Sequence, residues 1–299
     1  MTKGESYVII EKNETGECRM KKGINIWSFP TQSLKDNFSL AKKAGFEGVE
    51  ISLEAEGELT LNTTEKELKG IKDLANGTGL ELYSLTCGLC WDYRLTDDDK
   101  KNAEKAKDMI KRQLEAANIL GCDTILVIAG VVQAYFSYPE KKVDYLTCYE
   151  RSIEAINELK PFAEAAGVCM GIENVANKFL LSPLEMRSFI DSFDSKYVGS
   201  YFDVGNVMED RGYPEDWIRI LGQRIKKIHL KDYRLGAGEY GNVDLLAGDV
   251  NFPEVIKALN EVNYDGWLTA EMIPNYRYYT DTIIYNTSNA MDRIMGRVK

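Results

Sequence analysis

Four stretches of the chain, 41–51 (AKKAGFEGVEI), 74–84 (LANGTGLELYS), 117–127 (ANILGCDTILV) and 163–173 (AEAAGVCMGIE), repeat one pattern. Each closes an amphipathic segment on a glycine and then opens a short apolar run. Glycine at that point is a helix stop signal, because it tolerates a left-handed backbone. Working outward from these junctions, apolar runs recur at 23–27, 48–53, 80–86, 124–129, 168–175, 198–204, 225–231 and 267–273. Between them lie stretches of helical period. In 34–44, Leu34, Phe38 and Ala41 mark one face; in 99–120, Ala103, Ala106, Ile110, Leu114 and Ala117 do so. Eight strand–helix units in about 275 residues predict an α/β fold, a single (β/α)8 TIM barrel. A doubly wound open sheet would carry a glycine-rich phosphate turn after its first strand. The stretch from Ile24 to Ser28, INIWS, has none.

No Pro-, Ser- or Gly-rich linker interrupts the pattern. The division expected is a short N-terminal extension, residues 1–21, packed as a hairpin or arm on a barrel of residues 22–299. The chain has 299 residues and a formal net charge of −10. That balance disfavours nucleic acid as a partner, since phosphate neutralisation needs clustered Lys and Arg. It leaves room for a small anionic substrate held by a local basic group. The N-terminal apolar run is too short for a signal peptide, and no stretch is long enough for a membrane span. Six scattered cysteines read as free thiols of a cytoplasmic protein. The lone Cys87–Cys90 CxxC lacks a second pair and reads as core or pocket lining. His229 is the only histidine, which excludes multi-His zinc centres.

In a TIM barrel the active site lies at the C-terminal ends of the strands. The runs that form strands five to eight end in GIENV, YFDVGN, IHLKD and LTAEM. They carry Glu173, Asp203, His229 and Glu271 at or near their ends. Strand alternation turns Gly171, Tyr201, Lys231 and Thr269 inward with them, which reads as pocket lining. Converging carboxylates repel unless a cation neutralises them. Two Glu, one Asp and one imidazole make a mostly oxygen-donor set, suited to one divalent ion, Mn²⁺ or Mg²⁺, with Co²⁺ or Zn²⁺ as alternatives. A single strand-end His or Glu is commonly structural; four ligand types on four successive strands favour a metal site. Lys231 is a candidate for holding a substrate hydroxyl or phosphate, Asn206 for a substrate oxygen, and Asn25 faces in from strand one. Arg234 and Arg277 follow strands seven and eight, where barrels often bind phosphate. Trp91, Tyr93 and Tyr135 are placed to wall a sugar site or a subunit interface.

These motifs, with LLAGDVNFPEV and GWLTAEM, make residues 22–299 resemble the sugar phosphate isomerase/epimerase family of xylose isomerase-like barrels. The family includes ketose 3-epimerases, L-ribulose and L-xylulose 5-phosphate 3-epimerases, hydroxypyruvate isomerases and inosose dehydratases. The resemblance implies a Glu–Asp–His–Glu metal site at Glu173, Asp203, His229 and Glu271, with the two glutamates as the acid–base pair. It also implies a substrate-facing Glu50 at the end of strand two, and a homo-oligomer, dimer or tetramer, aided by the aromatic loop 134–138. The activity implied is ketose or ketose-phosphate 3-epimerisation through an enediolate. A dehydratase on a keto-sugar or keto-cyclitol with the same metal site is the alternative. Asn206 stands where free-ketose 3-epimerases usually carry His, which is closer to the sugar-phosphate branch. The loop 54–68, EAEGELTLNTTEKEL, lacks the Arg of that branch. The superfamily's DNA-repair endonuclease needs a His-rich site that a single His cannot build.

Overall fold

The computed structural model describes residues 20–30, 33–134, 142–209, 212–236 and 241–298. Residues 1–19 of the expected arm, and loop residues 135–138, lie outside the described residues, while Lys21 already pairs with Trp267 in the barrel. The strands are β1 (Lys21–Asn25), β2 (Gly48–Leu53), β3 (Glu81–Cys87), β4 (Thr124–Val127), β5 (Cys169–Glu173), β6 (Val198–Asp203), β7 (Ile225–Leu230), β8 (Asp232–Tyr233), β9 (Asn242–Val243) and β10 (Trp267–Ala270). Eight of them close a parallel barrel in the order β1-β10-β7-β6-β5-β4-β3-β2. The seam is real pairing: Ile24 registers with Ala270 on one side and with Val49 on the other. The (β/α)8 barrel expected from the sequence is the fold.

The helices are α1 (Leu34–Ala44), α2 (Glu65–Thr78), α3 (Lys100–Leu120), α4 (Tyr145–Ala166), α5 (Pro183–Asp191), α6 (Val204–Glu209), α7 (Pro214–Leu221), α8 (Phe252–Glu261) and α9 (Thr282–Ile294). The junction glycines do what the pattern requires. Gly45 at φ 90° and Gly167 at φ 68° end α1 and α4 in the left-handed region, and Gly79 and Gly121 end α2 and α3 likewise. Starts are capped by side chains: Thr64 and Glu67 form a reciprocal capping box on α2, and Asp99 accepts from the Lys101 N–H at the start of α3. The apolar faces are buried as periodicity predicts, Leu34, Phe38 and Ala41 on α1 and Ala106, Ile110, Leu114 and Ala117 on α3. Between β7 and β10 the chain adds the small hairpin β8–β9, which periodicity did not indicate. Asp232 anchors it, accepting from the N–H groups of Tyr233, Gly248 and Val250. A Cβ on Gly248 would stand 2.0 Å from an Asp232 oxygen, so the Asp of IHLKD and the Gly of LLAGDV are one structural unit. Among the described residues, no helix is long and apolar enough to cross a membrane.

Candidate metal centre and substrate cavity

Glu173 and Asp203 are the last residues of β5 and β6, His229 is the penultimate residue of β7, and Glu271 follows β10 directly. Barrel closure brings all four together: one ligand atom from each lies within 4.8 Å of the others, and all are buried. His229 Nδ1 stands 3.3 Å from Glu173 Oε1, 3.2 Å from Glu271 Oε2 and 3.8 Å from Asp203 Oδ2. Lys231 Nζ stands 2.6 Å from Glu271 Oε2 and 3.0 Å from Asp203 Oδ2. Yet those two buried oxygens accept no aligned hydrogen bond. Buried carboxylate oxygens left in that state are costly unless an ion takes them up. The donor set, with two buried oxygens that face an ammonium and an imidazole without an aligned hydrogen bond, fits a divalent cation.

Electrostatics tells the same story. Burial pushes the Glu173 carboxyl up to about 7, against the pull of His229 and Lys231. Burial likewise raises Asp203. Burial also opposes charge on Glu271, but Lys231 and His229 beside it hold its carboxyl below the usual carboxylate range. Carboxylates held so differently within one small volume are a common signature of a functional site.

Below the cluster lies a second polar layer. His229 Nε2 meets Glu50 Oε1 at 2.6 Å, and Asn25 Nδ2 donates to the same oxygen at 2.6 Å. Ser84 and Tyr201 hydroxyls donate to Glu50 Oε2. With Nε2 engaged by Glu50, Nδ1 is the His229 nitrogen that faces the three carboxylates, and those neighbours hold the imidazole pKa well above its usual value against the opposing effect of burial. Glu50 was expected at a strand end as a substrate contact; it sits mid-strand in β2 with no solvent exposure. Asn25 is equally enclosed. Tyr201 and Thr269 do point inward as alternation requires, but they seal the barrel rather than line a pocket: the Thr269 hydroxyl bonds Tyr83 Oη at 2.9 Å. Gly171 faces in beside Tyr201, where a Cβ would come within 3.0 Å of the Tyr201 ring.

Asp203 is held from three directions. Its N–H donates to Asn174 Oδ1 at 2.8 Å, Asn174 Nδ2 donates back to the Asp203 carbonyl at 2.8 Å, and the Asn206 N–H donates to Asp203 Oδ1 at 2.8 Å. Asn206 Nδ2 donates to the Asn174 carbonyl at 2.9 Å, so its amide is engaged with protein while the residue also lines the cavity. Sequence reasoning missed Asn174, although it directly follows Glu173 in GIENV.

A cavity of about 400 Å³ opens above the cluster, lined by Trp27, Trp91, Glu173, Asn206, Lys231 and Glu271 among others. Its size suits one small polyhydroxylated ligand. Trp91 walls it as expected, and so does Trp27, which was read only as strand. Tyr93 does not line it; Lys105 covers its ring at 5.4 Å. Arg234 is also away from it, half exposed and donating to the Ala247 carbonyl, and Arg277 lies over the Tyr278 ring. Cys90 lines the cavity, and burial raises the Cys87 thiol to about 12, which removes the thiolate that redox CxxC chemistry requires.

Residues 38–285 match the xylose isomerase-like TIM barrel family, and the chain belongs to it. Among its relatives is a Haemophilus influenzae protein named putative L-ribulose-5-phosphate 3-epimerase, 24% identical over 80% of this chain and 83% of that one. An inosose dehydratase of Clostridium perfringens is 24% identical over 76% of this chain and 78% of the other. The crystal structure of D-psicose 3-epimerase from Clostridium cellulolyticum H10 with D-tagatose superposes with a TM-score of 0.74. That match covers 92% of this chain and 98% of that one at 19% identity, a likeness of fold. The epimerase name agrees with the isomerase class expected from the sequence, and the dehydratase name with the alternative kept beside it.

Proposed function

We propose that the protein is a divalent-metal-dependent isomerase that inverts C3 of a ketose or ketose phosphate. The observation that carries this reading is the buried Glu173–Asp203–His229–Glu271 cluster, its ligand atoms gathered within 4.8 Å, at the floor of a sugar-sized cavity. Those four residues would hold the ion, and their oxygen-rich set favours Mn²⁺ or Mg²⁺. Once bound, such an ion supplies Lewis acidity, polarising the ketose carbonyl and stabilising negative charge as the neighbouring proton leaves.

The protein's own groups do the rest. Glu173 and Glu271 stand on β5 and just past β10, with β6 and β7 between them in the barrel wall. From these two sides, one carboxylate takes the C3 proton and the other returns a proton to the opposite face, the work of a positioned acid and base. Asp203, clasped by Asn174 and Asn206, and His229, oriented by Glu50, keep the floor fixed while the proton moves. Trp27 and Trp91 offer aromatic walls to the apolar faces of a sugar. The exposed Tyr278 and Tyr279, between Ile273 of the cavity wall and α9, support the further reading that the protein is a homo-oligomer.

The dehydratase relative favours a second reading, in which proton removal is followed by loss of a neighbouring hydroxyl from a keto-sugar or keto-cyclitol. One experiment separates the two. Ketoses, ketose phosphates and inososes are incubated with the Mn²⁺-loaded protein in deuterated water and followed by NMR. Deuterium at C3 of a product inverted there, with every hydroxyl retained, supports epimerisation, whereas loss of water makes the lyase the correct reading. No exchange in any of the three classes removes both.

A further inference from the structure

Lys231 is placed oddly for a substrate-binding residue. Its ammonium is directed at the floor of the site, 2.6 Å from Glu271 Oε2 and 3.0 Å from Asp203 Oδ2. These are the same oxygens that face His229 Nδ1, at 3.2 and 3.8 Å. The Lys231 stem is seated against bare backbone: a Cβ on Gly205 would fall 2.4 Å from Lys231 Cβ. The glycine of the DVGN motif therefore lets the lysine of IHLKD approach this closely. Only 12% of the side chain is exposed, and the exposed part lines the cavity.

We propose that Lys231 is a built-in counter-cation of the metal site: its ammonium holds Asp203 and Glu271 in the metal-free protein, competes with the divalent ion for them, and is released toward the substrate cavity when the ion binds. The physical argument is charge balance. Three carboxylates around one imidazole repel one another, and an ammonium at two of them preserves their positions for ligation. A divalent ion shared by the same oxygens and Nδ1 repels that ammonium at close range. The cavity it already lines is open to the displaced side chain. A lysine can make this move because its charge sits at the end of a flexible four-carbon stem.

This rests on the preceding reading for the metal alone, so it is tested by Mn²⁺ binding without substrate. Calorimetric titration of the metal-free full chain compares wild type with Lys231→Met and Lys231→Arg. Loss of the competitor should tighten Mn²⁺ binding by tenfold or more in Lys231→Met, lower the melting temperature of the metal-free form, and leave the Mn²⁺-loaded form close to wild type. Lys231→Arg, which keeps the charge, should not tighten binding. Lysine acetylation of the wild-type protein, read by mass spectrometry, serves if Lys231→Met does not fold. Labelling at Lys231 should rise several-fold on Mn²⁺ addition. Mn²⁺ binding that is unchanged or weaker in Lys231→Met, or labelling that does not rise, overturns the counter-cation while leaving the metal site standing. Absence of Mn²⁺ binding in wild type overturns both.

Discussion

Lys22 and Lys231, both with little solvent exposure, stand in this barrel under opposite charge conditions. Lys22, on β1, sends its ammonium to Asp292 Oδ1 at 2.6 Å and to Ser288 Oγ at 3.0 Å, with the Phe46 ring 5.6 Å away. One cation meets one anion and one hydroxyl, and the group ties β1 to α9. Lys231, just past β7, meets two carboxylates while a third shares the His229 imidazole with them, and two oxygens there stay without aligned hydrogen bonds. A matched pair is complete as built and has structural value only. An unmatched cluster is held together by surrounding structure and has room for a further cation. The difference teaches that burial of charge does not by itself mark function; residual acceptor capacity does.

Mutations can break the comparison at either end. The largest effect is expected from Asp203→Ala or His229→Ala, which should drop metal content by elemental analysis from one ion per chain to none and abolish turnover. Retained metal in either variant would mean that the four residues do not form the site. Glu173→Gln and Glu271→Gln keep a ligand oxygen but lose the base. Each should bind metal and lose turnover by roughly a hundredfold or more, the usual worth of a positioned acid or base. If only one matters for both turnover and solvent exchange, a one-base isomerase or lyase replaces the epimerase. Glu50→Gln leaves the ligands intact and weakens the group that orients His229. Metal affinity should fall by about 10–100-fold, as for other partners of metal-bound imidazoles. Calorimetry showing wild-type affinity would reduce Glu50 to a barrel-core residue. The smallest effect on function belongs to the matched pair. Lys22→Met should cost about 1–3 kcal/mol in denaturant melts, less than a fully buried pair because Asp292 is 25% exposed. It should leave metal affinity and turnover unchanged; any change in either would mean the two lysines are not independent.

Much of the site was legible because it is built from strand ends. The position of Glu173, Asp203, His229 and Glu271 within their apolar runs follows from local pattern, and the barrel then requires those ends to converge. The substrate contacts were less legible. Glu50 and Asn25 were read as facing the ligand, yet register places them one layer lower, where a polar residue is satisfied by Ser84, Tyr201 and His229. Arg234 was read from its loop position alone, and the β8–β9 hairpin diverts it to the Ala247 carbonyl. Asn174 carried a readable signal, a polar residue beside a strand-end Glu, but its partner lies 29 residues away.

The sequence by itself determined the order of strands and helices, the glycine stops between them, and the four ligand types, because these depend on periodicity and on the backbone demands of single residues. Only the tertiary structure decided which carboxylate supports His229, where the Lys231 ammonium rests, and which tryptophans wall the cavity. Those contacts join segments up to 244 residues apart, as when Trp27 and Glu271 line one cavity, and they depend on barrel register and strand tilt. Local pattern carries neither quantity; closing the ring between β1 and β10 sets both.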